Sequence, residues 1–147
     1  MDIQKFTLNE TSYFGEGARK VLPEEIKKRG FKKVLVVTDA SLYDAGVTTK
    51  VTDLLDANNI KYAVYHDVKP NPPVENVLAG VDMCKKEKAD LLVAVGGGSS
   101  IDTAKGISIV ITNPTTAQDL EIQNSLPFCL IIVFLTLLNF IIIFIFL

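Results

Sequence analysis

Three consecutive glycines followed by serine lie between an apolar run and an amphipathic segment, an order that can bind a phosphate. Leu91–Val95 predicts a strand buried on both faces, and Gly96, Gly97, Gly98 and Ser99 predict a turn that opens a helix. Glycine has no Cβ, so a ligand can approach the backbone closely, and the free N–H groups of a helix N-terminus attract an anion. A tight connection without a ligand has a similar pattern, so the turn alone does not decide between the two interpretations.

A carboxylate follows another buried-strand pattern. Residues 31–39 end on Asp39, and an acid at the carboxyl end of a parallel strand can accept hydrogen bonds from the two ribose hydroxyls of an adenine nucleotide. The alternative is that Asp39 only turns the chain or caps a helix. The glycine-rich turn downstream favours the nucleotide, although no G-x-G-x-x-G fingerprint follows this strand.

The histidine and the cysteines do not suggest a metal site. His66 is the only histidine, and a loop position is its simplest interpretation. Cys84 and Cys129 lack metal-ligand spacing and are interpreted as reduced thiols. The net charge of −2 shows no basic excess, so nucleic acid is not an expected partner.

The elements that must position these residues alternate along the chain. Weak edge strands are predicted at 6–9 and 11–14. After them, the hydrophobic periodicity predicts helices over 18–29, 47–58, 74–88 and 99–113, and strands over 31–39, 61–65 and 91–95. This alternation predicts an α/β fold, a Rossmann-like parallel sheet with helices on both faces. Residues 68–73 contain three prolines and predict a stiff loop at the sheet edge where such folds bind ligands.

The sequence changes character after Pro114. Residues 115–125 are polar and are interpreted as a linker, while residues 126–147 contain no charge and predict a C-terminal apolar helix, transmembrane-like in length. This tail has no basic flank and no Trp or Tyr belt. Its Phe, Ile and Leu are typical of AT-rich codons read out of frame, which favours a frameshifted or truncated gene product over an evolved membrane anchor.

Four motifs, in this order and spacing, resemble the N-terminal domain of the iron-containing alcohol dehydrogenases, most of all the lactaldehyde reductase branch. They are FGEGA at 14–18, VTD at 37–39, PNP at 70–72 and GGGSSIDTAK at 96–105. The resemblance implies a cytoplasmic, NAD-dependent oxidoreductase that transfers a hydride between nicotinamide and a small alcohol or aldehyde. It also implies a cofactor site made of the residues that match the family motifs: Asp39, Asn71, Gly97, Gly98, Ser99 and Asp102.

The family also implies iron or another divalent metal, which polarises the substrate oxygen. No residue of this sequence matches the metal ligands of the family, so no catalytic residue is assigned. We therefore expect residues 1–114 to be the NAD-binding domain, inactive by itself. The alternatives are a nucleotide-binding module attached to a membrane through 126–147, and a fragment of an enzyme like glycerol dehydrogenase. Substrate identity and oligomeric state stay open.

Overall fold

The computed structural model describes residues 11–13, 15–112, 129–135 and 141–146. Its strands are β1 (Thr11–Tyr13), β2 (Lys33–Asp39), β3 (Lys61–Val68), β4 (Leu91–Val95), β5 (Cys129–Leu135) and β6 (Ile141–Phe146). Its α-helices are α1 (Leu22–Arg29), α2 (Ala40–Asp44), α3 (Thr49–Ala57), α4 (Val74–Glu87) and α5 (Gly98–Thr112), and a 3-10 helix spans Ala18–Val21. The predicted strand at 6–9 and the predicted linker at 115–125 lie outside the described residues.

The strands form one sheet in the order β1-β6-β5-β4-β2-β3. Strands β5, β4, β2 and β3 are parallel, whereas β6 is antiparallel to both β5 and β1. In the middle of the sheet Val37 lies between Ala94 of β4 and Tyr65 of β3. The carboxyl ends of β2, β3 and β4 therefore meet at one edge, as the predicted parallel sheet requires.

Helices cover both faces of this sheet, which confirms the predicted architecture. Val34 and Val36 of β2 belong to a core with residues of α1 and α3, while Leu35 and Val37 belong to a second core with residues of α4 and α5. All five residues of β4 are buried. Since each buried Val or Leu contributes roughly 1.5–3 kcal/mol, these two cores hold the central strands in place.

The predicted C-terminal apolar helix is wrong where the structure describes this region. Cys129–Leu135 and Ile141–Phe146 are strands, and β5 extends the parallel part of the sheet by pairing with β4. Ile, Val and Phe favour strands, and an unbroken apolar run has no periodicity that separates helix from strand. The backbone groups on the free side of β4 need partners, which β5 supplies. Within the described ranges, no helix has both the length and the apolar composition that crossing a membrane requires.

The connection after β2 also differs from the prediction. A short helix, α2, precedes α3, and the chain turns between them at Gly46, where φ is +71°. The strand β3 is longer than predicted and includes His66, which was predicted to lie in a loop. The ring of His66 stacks on the ring of Tyr43 from α2, with centroids 4.5 Å apart. This contact attaches α2 to the edge strand.

Candidate functional site

The glycine-rich loop begins at a position that only glycine can occupy without strain. Gly96 has φ +144°, and a Cβ built there would lie 2.6 Å from Ser100 Oγ and 3.0 Å from Leu42 Cδ1. The residues predicted to contact the cofactor are the next two glycines, Gly97 and Gly98. Both are exposed, neither has a positive φ, and a Cβ on either would meet no atom within 4 Å. Gly96 shapes the turn, while Gly97 and Gly98 leave open space outside it.

The open space lies at the N-terminus of α5, which starts at Gly98 and runs for 15 residues. The first turn of an α-helix has N–H groups without intrahelical acceptors, and these groups favour an anion. Ser99 is half-buried and Asp102 is exposed. Residues three or four apart share a helix face, so Asp102 lies on the same face as Gly98 and Ser99. The structure therefore brings four of the predicted residues together, counting Gly97.

Two buried hydroxyl groups of α5 were not identified as site residues. Ser100 Oγ and Thr103 Oγ1 are buried, and neither has a hydrogen-bond partner among the described residues. Buried polar atoms are rarely left unpaired, because an unmade hydrogen bond costs roughly 1–3 kcal/mol. A bound polar group or an ordered water would remove this cost. Of the two hydroxyls, that of Ser100 lies beside Gly96 and thus fits a polar ligand at this helix terminus.

Asp39 caps a helix, which was the alternative to its predicted role. It adopts an extended conformation before α2, and its Oδ1 accepts a hydrogen bond from Leu42 N at 3.0 Å. Capping uses one oxygen of the carboxylate and fixes its orientation. The side chain is half-buried at the carboxyl end of β2, so the cap is compatible with a second hydrogen bond from a ligand hydroxyl.

Leu42 connects Asp39 with the glycine-rich loop. Its N–H donates to the Asp39 carboxylate, and its Cδ1 lies 3.0 Å from the position that a Cβ on Gly96 would occupy. Its carbonyl oxygen accepts from Val47 N at 3.0 Å and from Thr48 N at 3.4 Å. Asp39 and the glycine-rich loop are therefore neighbours in the fold, although Asp39 and Gly96 are 57 positions apart in the sequence.

Asn71 reaches the same sheet edge from β3, one strand beyond Asp39. It is exposed, lies between Pro70 and Pro72, and has φ +47°. Asparagine accepts this left-handed conformation better than most residues. Within residues 15–112 no hydrogen bond joins Asn71 to the other predicted site residues, so only the strand order places it beside them.

The part of the chain that the structure describes contains no group of three or more His, Cys, Asp or Glu side chains that could hold a metal ion. Cys84 lies in the core, where burial raises the pKa of its thiol to about 11. Its Sγ is 3.7 Å from the carbonyl oxygen of Ala89. The described residues therefore do not fit the metal that the resemblance implies.

Comparison with known proteins identifies relatives of this chain. The family model described as Iron-containing alcohol dehydrogenase matches residues 9–137, and so extends past residue 114 through β5. Lactaldehyde reductase of Escherichia coli (strain K12) is 42% identical over 123 residues, which are 84% of this chain and 32% of that protein. The chain thus spans about a third of the length of this curated relative.

Solved structures of related proteins share the fold. Alcohol dehydrogenase from Oenococcus oeni aligns with a TM-score of 0.78 and 34% identity, over 91% of this chain and 36% of that one. Sulfoacetaldehyde reductase from Bifidobacterium kashiwanohense, solved in complex with NAD+, aligns with a TM-score of 0.60 and 28% identity, over 77% of this chain and 30% of that one.

Proposed function

Since this chain belongs to the iron-containing alcohol dehydrogenase family, we propose that the edge formed by the ends of β2, β3 and β4 binds NAD. The observation that carries the proposal is the glycine-rich loop: Gly96 turns the chain tightly, and open space lies in front of the α5 N-terminus. The chain would then be the cofactor-binding portion of an oxidoreductase that acts on a small alcohol or aldehyde.

Each predicted residue has a role in this proposal. The backbone at Gly97, Gly98 and Ser99 donates N–H groups to the pyrophosphate, because the helix N-terminus favours negative charge there. The Asp39 carboxylate, oriented by its cap, accepts from a ribose hydroxyl. Asp102 and Asn71 flank the cofactor from α5 and from the proline-rich loop.

When bound, NAD supplies the hydride acceptor or donor for the reaction of a small alcohol or aldehyde. The lactaldehyde reductase branch suggests a short diol or hydroxyaldehyde as the substrate. No residue of this sequence matches the metal ligands of the family, and we assign no step to a metal. We therefore expect the 147-residue chain to bind NAD but to form no NADH from 1,2-propanediol with ferrous iron.

The membrane-attached alternative is not proposed. It depended on an apolar helix at 126–147, and the described part of that segment forms strands β5 and β6 of the sheet.

The test of NAD binding is Gly98→Val in the 147-residue chain. A side chain at Gly98 projects into the open space and not into the protein, so the fold tolerates it while the ligand loses its space. We expect calorimetry to show no NAD binding by Gly98→Val, with a thermal midpoint close to that of the unmodified chain. Lys86→Val, an exposed change on α4, is the control and should bind NAD normally. Equal affinity of Gly98→Val and the unmodified chain would place the cofactor elsewhere.

A further inference from the structure

We propose that Asn76 of α4 is a positioning residue for the NAD site, because its side-chain amide closes the loop that carries Asn71. This inference rests on the proposed function. Asn76 lies in none of the four motifs, and the hydrogen-bond partners of its side chain among the described residues are Tyr65, Asp67 and Lys69, none of which is predicted to contact the cofactor. We therefore expect the Asn76 side chain to affect NAD binding only by fixing the conformation of residues 69–73.

The amide of Asn76 uses both of its N–H donors and its oxygen. Nδ2 donates to Tyr65 Oη at 2.8 Å and to the carbonyl oxygen of Asp67 at 2.6 Å, while Oδ1 accepts from Lys69 N at 3.3 Å. Tyr65 Oη in turn donates to the backbone oxygen of Asn76 at 2.8 Å. Asn76 is only 5% exposed. Its two bonds with Tyr65 are buried, and those with Asp67 and Lys69 are partly buried.

These contacts hold the two ends of the loop together. Lys69 is the residue before Pro70, and Asn76 lies three residues after Pro73. The prolines have no N–H, so the loop has few backbone hydrogen bonds of its own. Asn71 also has φ +47°, a conformation that costs free energy and persists only where the surroundings enforce it. The Asn76 amide is the group that ties this short loop to β3.

Only an amide suits the position. A carboxylate of the same size has no donor for Tyr65 Oη or for the Asp67 carbonyl. An apolar side chain would also remove both of these bonds and would leave Tyr65 Oη with only its bond to the backbone oxygen of residue 76. Tyr65 is packed into the core of α4 and α5, and burial raises the pKa of its hydroxyl, with the Asp67 charge acting in the same direction. The tyrosine therefore stays neutral and cannot move toward solvent to compensate.

The experiment compares Asn76→Asp with the unmodified 147-residue chain at a temperature where both are folded. Hydrogen exchange at the Lys69 amide reports the loop without any ligand, and calorimetry with NAD reports the site. Asp keeps an oxygen that could accept from Lys69 N, but its other oxygen would face the Asp67 carbonyl oxygen, so repulsion should turn the side chain away from the loop. We therefore expect exchange at Lys69 to be about tenfold faster and NAD affinity to be about tenfold weaker. Asn58→Asp is the matched control, because it makes the same chemical change at the end of α3, where Nδ2 donates to Leu54 O.

A double-mutant cycle with Asn71→Ala separates positioning from general destabilisation. If Asn76 acts through Asn71, adding Asn76→Asp to Asn71→Ala will weaken NAD binding little further. Additive losses, or unchanged exchange and affinity in folded Asn76→Asp, would overturn the inference. Should Asn76→Asp fail to fold, Tyr65→Phe removes fewer of these bonds and should show the same two changes on a smaller scale. Absence of NAD binding by the unmodified chain would instead refute the proposed function, and this inference with it.

Discussion

Replacing Gly96 by alanine tests whether the turn between β4 and α5 depends on glycine for its shape. The residue has φ +144°, where side chains other than hydrogen are strained. The new Cβ would lie 2.6 Å from Ser100 Oγ and 3.0 Å from Leu42 Cδ1. Ser100 is buried at the start of α5, and its Cβ lies 3.1 Å from the same position, so rotation of its hydroxyl alone does not remove the contact.

The expected loss of stability follows from these two effects. The backbone conformation costs roughly 1–3 kcal/mol for a residue other than glycine. Overpacking against Ser100 and Leu42 costs typically about 1–3 kcal/mol more. We therefore expect Gly96→Ala to lower the free energy of unfolding by about 3 kcal/mol. For a chain of this size that corresponds to a fall in Tm of roughly 6–12 °C.

Thermal unfolding followed by circular dichroism measures this change, and Gly97→Ala is the matched control. A Cβ at Gly97 meets nothing within 4 Å and its φ is not positive, so the control should change stability by no more than about 0.5 kcal/mol. Equal Tm values for the two variants would show that Gly96 is under no strain and that the described turn is wrong.

Three further results are expected. The unmodified chain should bind NADP about a hundredfold more weakly than NAD, because the Asp39 charge repels the 2′-phosphate. Asp39→Asn keeps an acceptor for the α2 cap but removes the charge, so the affinity for NADP should approach that for NAD. Equal affinities of the unmodified chain for the two cofactors would contradict this. The hydrogen bond from Tyr13, followed by that from Arg29, holds the pKa of Glu25 below its ordinary 4.5. A lowered pKa of Glu25 stabilises the fold at pH values above 4.5, and this stabilisation is lost as the pH falls and the carboxylate is protonated. Tyr13→Phe should therefore lower the free energy of unfolding by about 1 kcal/mol at pH 7. Unfolding curves near pH 3 should show a smaller difference between the variant and the unmodified chain. Cys84, whose pKa is raised to about 11 by burial, should resist iodoacetamide at pH 8 until the protein unfolds, as mass mapping of its peptide would show.

Apart from the short helix α2, the alternation of strands and helices through residue 112 could be predicted from local patterns alone. Runs such as Leu91–Val95 are apolar at every position, because both faces of a central parallel strand are covered by helices. The helices show apolar residues at a spacing of three and four, since only one face of each contacts the sheet. The apolar run and the helical spacing each involve residues close together in the chain, so both can be recognised in the sequence.

The candidate site was only partly predictable. The glycine-rich loop and Asp39 were identified from their residue types. The need for glycine at Gly96 depends on its φ of +144° and on its contacts with Ser100 and Leu42, which only the folded chain sets. Asn76 was missed because its partners lie on β3, and no local pattern marks a buried amide that binds residues seven to eleven positions away.

Only the tertiary structure decided the form of the apolar C-terminal segment. A run of Ile, Leu, Val and Phe has no periodicity, so the sequence alone is consistent with a helix as well as with a strand. The free edge of β4 offers unpaired N–H and C=O groups beside a buried strand, and β5 pairs with them from Leu91↔Cys129 to Val95↔Val133. Backbone hydrogen bonds to a strand more than thirty residues earlier in the chain, and not the composition of the segment, determine that it joins the sheet.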